Sequence, residues 1–171
     1  DLTGARVVVI GGGMGLLSFA AVQRGAARAV LVEPEGGGDA AGGTRGVTRR
    51  FGEMRATLGW EHCIELEPVT FQEYDPRDES FDLALSHNSI NHWDERACTA
   101  LHTDPRAQET YASLFRKLHG LLKPGGRIVI CDCARRNLFG DLRLTHPIAP
   151  AIEWHKHQQP QLWAWLLQRG G

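Results

Sequence analysis

Residues 7–15, Val-Val-Val-Ile-Gly-Gly-Gly-Met-Gly, constrain this chain more than any other stretch. Val7–Ile10 is wholly β-branched, which suits a strand buried on both faces of a parallel sheet. Glycines at 11, 13 and 15 follow at once, and Leu16-Leu17-Ser18-Phe19-Ala20-Ala21-Val22 then carries a helical pattern. Strand, glycine turn and helix in that order let backbone approach a ligand more closely than a Cβ would allow, an opening used for nucleotides. Ala29-Val30-Leu31-Val32-Glu33 reads as a second buried strand that ends in an acid. A carboxylate there accepts hydrogen bonds from both hydroxyls of a ribose, so an adenosine-containing cofactor is expected.

The rest of the chain alternates strand and helix, which predicts an α/β fold with a parallel sheet. Strands are expected at Arg6–Ile10, Ala29–Val32, Cys63–Glu67, Phe81–Ser86 and Arg127–Asp132. Helices are expected from about Gly15 to Arg24, from Thr48 to Leu58, from Pro105 to Leu122 and from Pro160 to Gln168. Asp104 caps the third of these, with Pro105 at its first position. Tyr111, Phe115, Leu118 and Leu122 fall at helical spacing and read as its buried stripe. Six glycines among residues 35–46 make a surface loop rather than a helix. Lys123-Pro124-Gly125-Gly126 reads as a tight turn ahead of the fifth strand. A length of 171 residues suits one domain with a sizeable core.

A net charge of −1 leaves no electrostatic footprint for nucleic acid or an anionic membrane. No apolar run approaches the roughly 20 residues of a membrane-spanning helix, and no signal peptide is evident. The expectation is a cytoplasmic protein with neither partner. Cys63, Cys98, Cys131 and Cys133 lack paired-ligand spacing, and buried thiols in a reducing compartment are the expected reading. Glu153-Trp154-His155-Lys156-His157 holds two histidines and a carboxylate, but spacing fixes no third ligand, so no metal site is expected. Trp154, Trp163 and Trp165 are assigned to packing.

A dinucleotide fingerprint needs glycine three residues after Gly13, and position 16 is Leu16. The choice of cofactor rests on two later segments. Residues 81–93 read Phe-Asp-Leu-Ala-Leu-Ser-His-Asn-Ser-Ile-Asn-His-Trp, and residues 118–130 read Leu-His-Gly-Leu-Leu-Lys-Pro-Gly-Gly-Arg-Ile-Val-Ile. With the glycine turn and Glu33, they make residues 5–133 resemble the class I S-adenosylmethionine-dependent methyltransferases. The first segment is similar to that family's fourth strand and following loop, the second to its helix, turn and fifth strand.

The resemblance implies a Rossmann-like, doubly wound, mostly parallel sheet in the order 3-2-1-4-5. It implies transfer of a methyl group from S-adenosylmethionine to an acceptor, expected to be a small molecule. Cofactor contacts are expected from Gly11, Gly12, Gly13, Met14, Gly15, Glu33, Pro34, Thr70, Phe71, Ser86, His87 and Asn88. His92 is the first candidate for a general base and His87 the second, since an imidazole titrates near neutral pH. Three departures from the family pattern stand out. Val9 occupies a position where the family usually has an acid, and Thr70 stands where an Asp is frequent. The chain also stops at Gln168-Arg169-Gly170-Gly171, where a final antiparallel hairpin is expected, which suggests a domain trimmed at both ends. A non-catalytic binding scaffold and a flavin- or NAD-binding oxidoreductase are the alternative readings.

Overall fold

The structure is a computed structural model that describes residues 1–35, 45–147, 150 and 152–171. Five strands form an all-parallel sheet: β1 (Arg6–Ile10), β2 (Arg28–Val32), β3 (Ile64–Glu67), β4 (Phe81–His87) and β5 (Leu122–Cys131). Their order is β3-β2-β1-β4-β5, as the resemblance implied. The direction of growth reverses at β1, which leaves a crevice beyond the carboxyl ends of β1 and β4, where ligands bind in open α/β sheets.

Contacts divide the chain into two units, one comprising residues 1–93 and 120–131, the other residues 94–119 and 132–171. The first holds the sheet, α1 (Leu16–Gln23) and α2 (Arg45–Leu58). Val7–Ile10 is fully buried, as a central parallel strand requires. Val7, Val9, Ala29, Leu31 and Ile64 share a face and pack on Phe19 and Ala21 of α1 and Phe51 of α2. Val9 is thus a core residue. The helix expected from Thr48 starts three residues earlier, and residues 36–44 of the glycine-rich loop lie outside the described residues.

The Lys-Pro-Gly-Gly segment departs from expectation. It lies inside β5 as a bulge, because Phe81 pairs with Leu122 while Leu83 pairs with Arg127. Asp82, between the two pairs, accepts from Lys123 Nζ at 2.8 and 2.9 Å and from the Arg6 amide at 2.8 Å. Those bonds hold its carboxyl below the usual range. Gly125 supplies the left-handed φ of +81° that turns the extra residues.

The second unit comprises α3 (Glu95–Ala100), most of α4 (Pro105–Gly120), α5 (Leu138–Asp141) and α6 (Pro160–Gly170). Tyr111, Phe115 and Leu118 of α4 are buried as expected, whereas Leu122 has left the helix and begins β5. Trp163 packs on Tyr111 with ring centroids 5.1 Å apart, but Trp165 is 42% exposed and belongs to no core. Asp132 and His157 meet within this unit at 3.2 Å. Of the four thiols, only Cys63 and Cys98 are buried, and Cys131 is exposed. Among the described residues no helix is long and apolar enough to cross a membrane.

Candidate functional site

The glycine turn begins where β1 runs out. The Gly11 amide donates to Val32 O at 2.8 Å, which ties the turn to β2. Gly11 has φ +68°, and a Cβ placed there would lie 2.5 Å from Ser89 Cβ. The segment after β4 therefore crosses directly over the turn. Ser89 donates its hydroxyl to Ile10 O at 2.7 Å and shares a hydrogen bond with Ser86 Oγ at 2.8 Å. Both serines are buried. Gly12 and Gly15 sit against Leu31 and Phe51, so these two glycines serve internal packing.

Gly13 differs from its neighbours. Its φ of +54° favours glycine, and a Cβ there would meet nothing within 4 Å. The turn is open on that side. Its amide donates to Glu33 Oε2 at 2.9 Å, just beyond the end of β2. Burial pushes the Glu33 carboxyl above its usual range, while the Gly13 bond and the nearby His92 pull the other way. Oε1 of Glu33 has no hydrogen-bond partner among the described residues. Pro34 is half-buried beside it and Met14 is 39% exposed.

Thr70 and Phe71 lie after β3. The Thr70 hydroxyl and amide both donate to Glu73 Oε2, at 2.7 and 3.2 Å, and the Glu73 amide returns to Thr70 Oγ1 at 3.3 Å. This reciprocal cap fixes one helical turn. Phe71 is buried, with its ring centroid 4.7 Å from that of Trp93. The Gln72 side-chain amide donates to Trp93 O, so the Thr70 turn and the segment after β4 support each other.

At the end of β4, Ser86 points inward while His87 and Asn88 are exposed, Asn88 with φ +50°. A short 3₁₀ turn over Ile90–His92 follows. It buries Ile90 and Asn91 and leaves His92 exposed, with Nε2 3.3 Å from Asn91 Nδ2. The Glu33 carboxyl and the His92 imidazole thus face the mouth of the glycine turn from two loops. No group of three or more metal-ligating side chains occurs among the described residues. Sequence reasoning passed over Ser89, although a polar residue three places after Ser86, in a loop rising from a buried strand, was a usable signal.

This geometry agrees with what the chain resembles. The family model described as a methyltransferase domain matches residues 8–130, more than two thirds of the chain. Among solved structures, a candidate sarcosine dimethylglycine methyltransferase from Galdieria sulphuraria is 19% identical with a TM-score of 0.66, over 99% of this chain and 54% of that one. The [4+2]-cyclase SpnF is 16% identical with a TM-score of 0.67, over 99% and 52%. An S-adenosylmethionine-dependent methyltransferase from Mesorhizobium loti is 19% identical with a TM-score of 0.62, over 100% and 75%. The chain spans about half the length of the first two. No curated protein matches it.

Proposed function

The chain belongs to the class I S-adenosylmethionine-dependent methyltransferases, and from that premise we propose that it transfers a methyl group to a small-molecule acceptor. The observation that carries the cofactor assignment is the pairing of an open Gly13 with the half-buried Glu33. An adenosine ligand needs close backbone on one side and a carboxylate for the ribose on the other, and these two residues offer both. S-adenosylmethionine supplies an electrophilic methyl group on a thioether leaving group.

The remaining work falls to the chain's own residues. Gly11 and Gly13 admit the methionine portion, and Glu33 accepts from the ribose hydroxyls through Oε1 and the remaining lone pairs of Oε2. Thr70, Phe71, Ser86 and Asn88 border the adenosine. Holding two reactants in line supplies several kcal/mol without any group that bonds to the substrate. A proton acceptor is required only where the acceptor atom must lose a proton, and His92 takes that role, with His87 second. The near-neutral charge favours a small acceptor over nucleic acid. SpnF shows that this fold also hosts a cyclase, so transfer must be measured directly.

Calorimetric titration of the chain with S-adenosylhomocysteine is the test, with NAD and FAD as controls. We expect binding of the homocysteine compound alone, weakened about tenfold or more in Glu33→Ala because hydrogen bonds to a charged group are lost. Binding of NAD or FAD in its place would support an oxidoreductase. Transfer of a labelled methyl group across an acceptor panel then separates enzyme from scaffold. Loss of turnover with retained binding in His92→Gln is expected if the acceptor must lose a proton.

A further inference from the structure

The β1–β4 ladder ends at the pair Val9–Leu85, and the Ile10 carbonyl lies one residue beyond it. There the chain after β4 supplies a side chain, the Ser89 hydroxyl, 2.7 Å from Ile10 O. A hydroxyl carries one hydrogen, and a carbonyl only accepts. Ser89 therefore spends its hydrogen on Ile10, and in the 2.8 Å contact between the two serines Ser86 is the donor. The chain of bonds runs one way, from Ser86 through Ser89 to Ile10. Neither serine keeps a hydrogen for a ligand, and both are buried. Ser89 acts on the glycine turn rather than on what binds in it.

Ser89 is itself held from several sides. Asn88, at φ +50°, turns the chain after β4, and its amide donates to Cys131 O at 2.8 Å. The His92 amide donates to Ser89 O at 2.9 Å. Ile90 is fully buried, and the Gln72 side chain donates to Trp93 O. The Ser89 side chain also fills the space that a Cβ on Gly11 would need. Serine and glycine are thus fitted to each other, one as a small donor and the other as bare backbone.

We propose that Ser89 is a positioning residue for the cofactor. Its bond to Ile10 O fixes the point from which the glycine turn leaves β1, and so sets where the Gly11 and Gly13 backbone stands before a ligand arrives. Turn amides already in place bind without a further ordering cost. The consequence for affinity rests on the S-adenosylmethionine reading above, whereas the hold on the turn does not.

The test begins with amide hydrogen exchange in the whole chain without ligand. The Gly11 amide donates to Val32 O and the Gly13 amide to Glu33, so both should be protected. Ser89→Ala should speed their exchange about tenfold, as loss of one buried hydrogen bond does, and Ser89→Cys, which keeps a weak donor, should speed it less. Ile64→Val is the comparison: it removes a buried methylene on β3, paired with Ala29 at the far end of β2, and costs stability away from the turn. It should leave both amides unchanged. In calorimetry Ser89→Ala should bind S-adenosylhomocysteine about tenfold more weakly, and Ile64→Val within about twofold of the unaltered chain. The proposal is overturned by unprotected Gly11 and Gly13 amides in the unaltered chain, by unchanged exchange or affinity in Ser89→Ala, or by equal effects in Ile64→Val. The first of these needs no variant, so misfolding of Ser89→Ala does not remove the test. An unaltered chain that does not bind S-adenosylhomocysteine overturns the cofactor reading instead, and the exchange comparison still decides whether Ser89 holds the turn.

Discussion

At Glu33, burial and hydrogen bonding act on one carboxyl in opposite directions, and burial is the larger effect. A folded pKa above the usual 4.5 means that the folded chain keeps a proton that the unfolded chain has released. The stabilising contribution of Glu33 is then full below 4.5 and declines as pH rises through the folded value. Glu33→Gln should accordingly gain stability relative to the unaltered chain between about pH 4 and about pH 7. Urea unfolding of both proteins at the two pH values measures this, and a constant difference would contradict it. Ser89 presents a simpler case. Ser89→Ala leaves the Ile10 carbonyl without its side-chain donor beneath the turn, a loss of about 1–3 kcal/mol in the same assay. Neither bond was legible from the sequence. Glu33 was recognisable as a ribose ligand, but its bond to Gly13 requires knowing how a turn folds back across 20 residues.

Among the elements, β1 and β2 announced themselves through continuous apolar runs, the mark of strands covered on both faces. β5 was recognisable over its second half only. Its first residue, Leu122, is separated from Arg127 by a bulge, and the glycine and proline in that bulge read as the end of something rather than its middle. α3 was missed, although Asp94 caps it by accepting from the Ala97 amide at 2.8 Å. That helix has only six residues, too few to show a period. The strand that carries Cys131 also decides which thiol reacts. Cys131 is exposed, whereas Cys98 is buried and its thiol is pushed up to about 11. A maleimide should label Cys131 well before Cys98 in the folded protein, as read by peptide mass. Equal labelling would show that the unit holding Cys98 opens freely.

For the whole molecule, the order of strands followed from the resemblance, because a family pattern fixes topology that no local signal encodes. The single-domain expectation came from length, and length is silent on how contacts divide within a chain. Ligand binding is the global property most directly open to measurement. S-adenosylhomocysteine at about 100 times its dissociation constant should raise unfolding free energy by about 2.7 kcal/mol, detectable as a rise in Tm that NAD does not reproduce. No rise would count against the proposed site in its entirety.

Ser89 and Ile10 stand 79 residues apart in the chain, and β1 finds β4 only across β2 and β3. Closure over such a distance is slow, since the entropy of a long loop is lost before any contact rewards it. The glycine turn therefore gains its roof late in folding, and a collapsed chain that has not joined β1 to β4 has nothing to offer a nucleotide. A ligand at this turn then grips only the finished molecule, lengthening the life of the native state while leaving the pace of folding to the chain itself.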